Sequence, residues 1–424
     1  MEQERPIKTT RRVSLGLRIT AAAMAALLLC SLVLLDAIRI DIYRQEYEGT
    51  NAEAAAGNYL ADNTEYVQKS TLERAAQVVG DLIKKPVTLQ DYYDLASEKI
   101  ARAEYDDALT LVDVCLEMVE SSASGAATAL YVDLLMKKGC LLALQNDYDQ
   151  ALTYFDRVID LDSAQAQAHL LKAQIYAEQK KNDEAIGSLS AYLALQPGDY
   201  SMRTALIQLY YVNGEYNLAE QACDVYLSLT YDSTGTIYFL RGACRLQRGG
   251  YETAMEDLLT AAQRGYKDPG ICYGQAAICA YLLGKSELVL QYGQQAASLG
   301  SSELDFGTLY SYMGYSSMLL KRFTDAEAQF TSAMENGQPE ASMRYYRGVS
   351  RMAQGRAADA VEDFSAAIDG GETTAQCYYN RGACYLQLGD HEKALPDMKA
   401  VVSLNEDAEL TAIAGALTEQ LEKQ

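Results

Sequence analysis

Nine cysteines and two histidines are the residues in this chain best suited to act as nucleophiles, bases or soft metal ligands. The sequence "RGAC" occurs twice, at 241–244 and 381–384. A thiol beside a guanidinium is the arrangement that lowers a cysteine pKa and makes it reactive. The spacing of the other cysteines argues against such chemistry. No Cys-x-x-Cys occurs; Cys30 lies in an apolar run, and 115, 140, 223, 244, 272, 279, 377 and 384 are scattered through helical patterns. Cys272/Cys279 and Cys377/Cys384 are each seven apart. On a helix that places both on one face but about 10 Å apart, too far for a disulfide. An odd total also fits poorly with a complete disulfide framework. The cysteines therefore read as small buried apolar residues.

His169 and His391 lie in different segments, and His391 falls where packing is the expected role. No His-x-x-x-His, Gly-x-Ser-x-Gly, phosphate loop or paired-cysteine metal site appears. A non-catalytic protein without cofactor or metal is expected. The charge balance, 36 basic against 58 acidic residues and a net −22, argues against nucleic acid, which requires clustered Lys and Arg.

The elements that position these residues begin with residues 19–35, "ITAAAMAALLLCSLVLL", which carry no charge. At about 1.5 Å per residue such a run can span a bilayer core. Residues 1–18 carry five basic and two acidic side chains. The positive-inside rule then places the tail 1–18 in the cytoplasm, 19–38 as an uncleaved signal-anchor helix, and the rest on the far side. A cleaved signal peptide is the rival, but no small-x-small pattern follows the run. Residues 39–88 read as a helical linker and N-terminal cap.

Beyond residue 88 the glycines recur. Gly314, Gly348 and Gly382 are 34 apart, and Gly242 lies two such steps earlier with slightly longer spacing. Each unit has a small pivot residue, a break commonly marked by Gly, and a second small residue twelve after the first. Units start near 89, 132, 166, 200, 235, 270, 307, 341 and 375. The pivots are Ala96, Gly139, Ala173, Ile207, Gly242, Ala277, Gly314, Gly348 and Gly382. Their partners are Ala108, Ala151, Ala185, Ala219, Ala254, Val289, Ala326, Ala360 and Ala394. Small faces such as Gly382 and Ala394 let two helix backbones approach, and Ile207 and Val289 should splay units four and six. Few prolines and much Ala, Leu, Glu and Gln favour helix. Pro86, Pro197, Pro269 and Pro339 fall between units, whereas Pro396 lies inside a second helix and predicts a kink or late start there. Residues 407–424 suit a capping helix.

This layout resembles the tetratricopeptide repeat (TPR), a 34-residue helix–turn–helix. The match is closest in "YYNRGACYLQLGDHEKALPDM" and in "LLMKKGCLLALQNDYDQALTYFDRVIDLD" at 134–162, and it extends over about 89–405. The usual Trp is absent; Tyr238, Tyr273, Tyr310 and Tyr378 stand in its place. The resemblance implies an all-α, right-handed superhelical solenoid of about nine units over 89–406, with protein or peptide partners held in a groove lined by the first helices. The groove positions hold Tyr211, Phe239, Tyr281, Tyr312, Tyr315, Tyr345, Tyr346 and Tyr379. Some TPR domains grip a terminal carboxylate with Lys and Asn; Asn380 stands there without a Lys cluster. The expected function is a membrane-anchored scaffold for partner proteins. The alternative is an accessory protein that handles envelope polymer or glycan.

Overall fold

The computed structural model describes residues 56, 60, 88–121 and 129–423, and every regular element among them is α-helical. The basic tail, the apolar run at 19–38 and nearly all of 39–88 lie outside the described residues. Among the described residues no helix is long and apolar enough to cross a membrane.

Two compact units divide the chain, 1–215 and 216–424. The first contains α1 (Leu89–Ala101), α2 (Tyr105–Glu120), α3 (Ala129–Leu144), α4 (Tyr148–Leu161), α5 (Ala166–Glu178), α6 (Asn182–Leu195) and α7 (Tyr200–Val212). The second contains α8 (Tyr216–Leu229), α9 (Thr236–Gln247), α10 (Tyr251–Gln263), α11 (Pro269–Leu282), α12 (Ser286–Leu299), α13 (Phe306–Leu319) and α14 (Phe323–Glu335). It continues with α15 (Glu340–Ala353), α16 (Ala357–Asp369), α17 (Ala375–Gln387), α18 (His391–Leu404) and α19 (Ala408–Leu421). The boundary falls between the two helices of the repeat near 200.

The turn inside each repeat has one recurring device. Seven residues after every pivot the backbone is left-handed: Ala103, Asn146, Lys180, Gly214, Gly249, Gly284, Lys321, Gly355 and Gly389 all have positive φ. Glycine adopts this region freely and occupies five of the nine positions. Lys321, at φ 59°, carries the steric cost of a side chain there. Helix starts are fixed by short acceptors. Asp147, Asp199, Asp268, Asp305 and Asp390 each accept from the backbone N–H three residues on. Pro269 is the first residue of α11, where its missing N–H costs nothing.

Pro396 departs from expectation. α18 runs unbroken from His391 to Leu404, so there is no late start. Asp390 caps the helix, and Ala394, Asp397, Met398 and Val401 bury its inner face. Pro396 and Glu392, whose carbonyl loses its donor, are both exposed, so water can serve that carbonyl. His391 is exposed too and does not pack as the sequence led us to expect.

In the first unit Ala56 and Leu60 join the buried core that holds Leu134, Met136 and Phe155. At the other end of the chain, Leu410, Ala414 and Leu417 of α19 cover Met398 and Val401 of α18.

Candidate partner-binding surface

The small residues at the helix contacts set the packing on which any surface rests. All nine second-helix partners, Ala108 through Ala394, are fully buried. The pivot glycines, however, make room chiefly for a different residue, sixteen positions on. A Cβ added at Gly139 would lie 2.6 Å from the Phe155 ring; the same distance separates one at Gly314 from Phe330. At Gly348 the obstacle is Phe364 at 2.9 Å, at Gly382 it is Met398 at 2.6 Å, and at Gly242 it is Leu258 at 3.0 Å. Backbone approach to the expected alanine is close at Gly242, where the Ala254 carbonyl oxygen would lie 3.2 Å from the added carbon.

The repeat at 269–299 reverses this scheme. Its pivot is Ala277, and the residue sixteen on is Gly293, whose added Cβ would strike Met313 of the next repeat at 2.6 Å. Ala276, Ala277, Ala280 and Val289 are all fully buried, so the expected splay of this repeat is absent.

A charged constellation that sequence reasoning missed sits on the same register. The arginine before the glycine forms a two-pronged pair with an aspartate sixteen residues on. Arg241 donates to Asp257 at 2.9 and 2.7 Å, Arg347 to Asp363 at 3.0 and 2.7 Å, and Arg381 to Asp397 at 2.9 and 2.7 Å. The remaining guanidinium N–H reaches back to the preceding repeat: Asp224 at 2.7 Å, Thr331 at 3.0 Å and Ser365 at 3.3 Å respectively. A second arginine, four residues on, joins two of the three clusters. Arg245 bridges Asp257 and Glu220; Arg351 bridges Asp363 and Glu327. In the third cluster that position is Tyr385. The three aspartates are at most 4% exposed. The signal available in the sequence was the repeated Arg-to-Asp spacing of sixteen.

The "RGAC" thiols are therefore not activated, since their arginines are committed to aspartates. Burial pushes the Cys384 thiol up to about 11 and the Cys244 thiol up to about 12, the latter with Glu220 adding to the shift. Every described cysteine is buried and unpaired with another. Among the described residues no cluster of His, Cys, Asp and Glu could hold a metal ion.

The expected groove residues divide in two. Tyr211, in the first unit, is 7% exposed, and Phe239 is fully buried with Tyr266 stacked on it at 4.3 Å. Both are core residues and present no ligand surface. Tyr266 comes from the loop after α10, which no pattern in the first helices reveals.

The other six are half-buried. Five of them form one chain of touching rings across α11, α13 and α15. Tyr312 stacks on Tyr281 at 4.1 Å and 11°, and Tyr281 lies 6.4 Å from Tyr315. Tyr315 meets Tyr346 edge-on at 4.8 Å, and Tyr346 meets Tyr345 edge-on at 5.0 Å. Phe330 lies beneath, 5.4 Å from Tyr315 and 5.6 Å from Tyr346. Tyr345 accepts from the Asn380 side chain at 3.4 Å, and Asn380 accepts from Gln376 at 3.0 Å. Tyr379 packs separately, against the core of α18 and α19. Burial, reinforced by the neighbouring phenols, raises the pKa of Tyr281; burial likewise lifts Tyr345 to about 12. The strip presents apolar rings with polar tips.

Comparisons with known proteins agree with this architecture. Two tetratricopeptide repeat models match, one over residues 136–200 and 320–373 and another over 375–407. No curated protein matches the sequence. Among solved structures, a tetratricopeptide repeat protein from Parabacteroides merdae is 17% identical and aligns over 61% of this chain and 98% of its own, with a TM-score of 0.38. The C-terminal part of a TPR repeat-containing protein from Cytophaga hutchinsonii is 16% identical over 56% of this chain and 96% of its own, with a TM-score of 0.43. The family matches fall on helical pairs of one register, so the chain carries tetratricopeptide repeats over residues 136–200, 320–373 and 375–407.

Proposed function

We propose that the protein is a non-catalytic, membrane-anchored scaffold that binds partner proteins or peptides on its tyrosine-lined first helices. In this reading residues 19–38 anchor the chain, the tail 1–18 is cytoplasmic, and about nine repeats wind as a right-handed superhelix outside the cytoplasm. The observation that carries the binding reading is the run of touching, half-buried tyrosines on consecutive first helices. Rings held against one another lose little freedom on binding, and tyrosine is enriched where partners dock. The basic tail beside a charge-free apolar run supports the anchor.

The test is crosslinking in native membranes with the Tyr345→Ala/Tyr379→Ala variant beside the parent. Loss of specific protein crosslinks, with the melting transition retained, supports the reading. Unchanged crosslinks from both chains, or retention on cell-wall polymer alone, overturns it. Engineered surface cysteines labelled in intact cells by a membrane-impermeant reagent support the extracytoplasmic placement; silence at every site overturns it.

A further inference from the structure

The tyrosine strip differs in charge from the rest of the chain, and that difference bears on what it can hold. Charged residues make up 22% of the sequence, yet the fourteen residues of α11, PGICYGQAAICAYL, include none, and neither do the fourteen of α13, FGTLYSYMGYSSML. On α15 the arginines turn away to carboxylates: Arg347 and Arg351 to Asp363, and Arg344 to Glu340. The rings at Tyr281, Tyr312, Tyr315 and Tyr346 thus sit on first helices that offer a ligand no free charge.

A charged side chain pressed onto such a surface would shed water and gain no counter-ion. The surface does offer ring faces and phenolic O–H donors. Among the described residues the Tyr281 and Tyr312 hydroxyls take part in no hydrogen bond. A ligand that suits such donors is rich in carbonyl oxygens, poor in N–H groups and apolar along its sides. Proline segments in the polyproline II conformation have that composition, and aromatic-lined grooves recognise them. Three neighbouring first helices, with axes about 10 Å apart, span about 20 Å; at about 3.1 Å per residue that accommodates about six residues.

We propose that the tyrosine strip of α11, α13 and α15 binds an uncharged, proline-rich extended segment of a partner protein, an inference that rests on the partner-binding reading above. The experiment is fluorescence anisotropy of labelled twelve-residue peptides on the full chain in detergent micelles. The peptides are an uncharged proline-rich one, its alanine-substituted counterpart, and a lysine-bearing version. The expected result is that the proline peptide binds at least about tenfold more tightly than either of the others. Its Kd should change less than about twofold between low and high salt, because no ion pair forms. Tyr312→Phe, which keeps the ring, should weaken binding by removing one donor, and Tyr281→Ala should weaken it further. Equal affinity for the alanine peptide, preference for the lysine peptide, or an unchanged Kd in Tyr312→Phe and Tyr281→Ala would overturn the inference. If the crosslinked partner is lost from Tyr345→Ala/Tyr379→Ala while proline peptides fail, the scaffold reading stands and only this ligand class is rejected. If partner crosslinks survive the tyrosine changes, the reading itself falls.

Discussion

Repeats of the same register are joined sideways in two ways within the second unit. At 236–263 and 340–369 a guanidinium reaches both its own second helix and the preceding one, and a buried aspartate receives it. In the two repeats between them, 269–335, the position before the pivot is Ala276 or Met313. Tyrosine rings and Met313 make the lateral contacts instead. The position of the aspartate is taken at 329 by Gln329, which accepts from Ser317 at 2.7 Å. The ion-braced repeats commit their charges internally. The aromatic ones contain few charges and leave half-buried rings at the surface. One backbone plan therefore supports two kinds of lateral contact, depending on which side chain precedes the pivot, and the tyrosine strip runs on from the aromatic repeats onto α15 of a braced one.

The sharpest way to break this contrast is to remove its acceptors in parallel. Asp363→Ala leaves Arg347 without a carboxylate partner and Arg351 with Glu327 alone. It should cost about 3–5 kcal/mol in chemical denaturation. Gln329→Ala, at the equivalent position, should cost only about 1 kcal/mol. Equal losses would mean that the two bracing modes do not differ in energy. Gly314→Ala probes the packing common to both modes. Its new methyl would meet Phe330, and the expected loss is about 1–3 kcal/mol in the same assay. A neutral result there would show that the phenylalanine can shift.

Lys321→Gly works in the opposite direction. Relieving a left-handed lysine should stabilise the aromatic repeat by about 1 kcal/mol, whereas replacing Gly355 by Lys in the braced repeat should cost a similar amount. A pH titration sharpens the contrast from the charged side. Burial alone would raise the pKa of Glu327, but hydrogen bonds from Arg351 and Gln354 outweigh it and hold the carboxyl below its ordinary value. Stability from this group is thus present above the ordinary glutamate range and fades as pH falls below about 4.3. Glu327→Gln should flatten that part of the stability profile, and an unchanged profile would show that the brace carries no linkage. The smallest effect is expected from Cys384→Ala, which should leave partner crosslinking intact because the thiol only fills space beside Phe364 and Cys377.

Much of the fold was legible in the sequence. The 34-residue spacing of Gly314, Gly348 and Gly382, with Gly355 and Gly389 at the turns, reflects requirements that one residue type meets locally. The left-handed Ala103, Lys180 and Lys321 carry no such mark, because only the surrounding repeat forces them into that conformation. The tyrosine strip was only partly legible. Position on a first helix placed Tyr281, Tyr312, Tyr315, Tyr345 and Tyr346 among eight candidate groove residues, and only the structure brings these five rings into one chain. Position did not distinguish them from Phe239, which lies at the register of Tyr345 but is covered by Tyr266 from a loop.

By itself the sequence determined the repeat, its helices and its turns, because periodicity and backbone preference act within a few residues of each other. Tertiary structure alone decided that the pivot glycines face the residue sixteen on, that the "RGAC" arginine is spent on an aspartate rather than on its thiol neighbour, and that Pro396 rides on the exposed side of an unbroken helix. Those outcomes depend on which side chain of another helix arrives first in a shared volume. Packing density and charge pairing settle that competition, and neither is encoded at any one position.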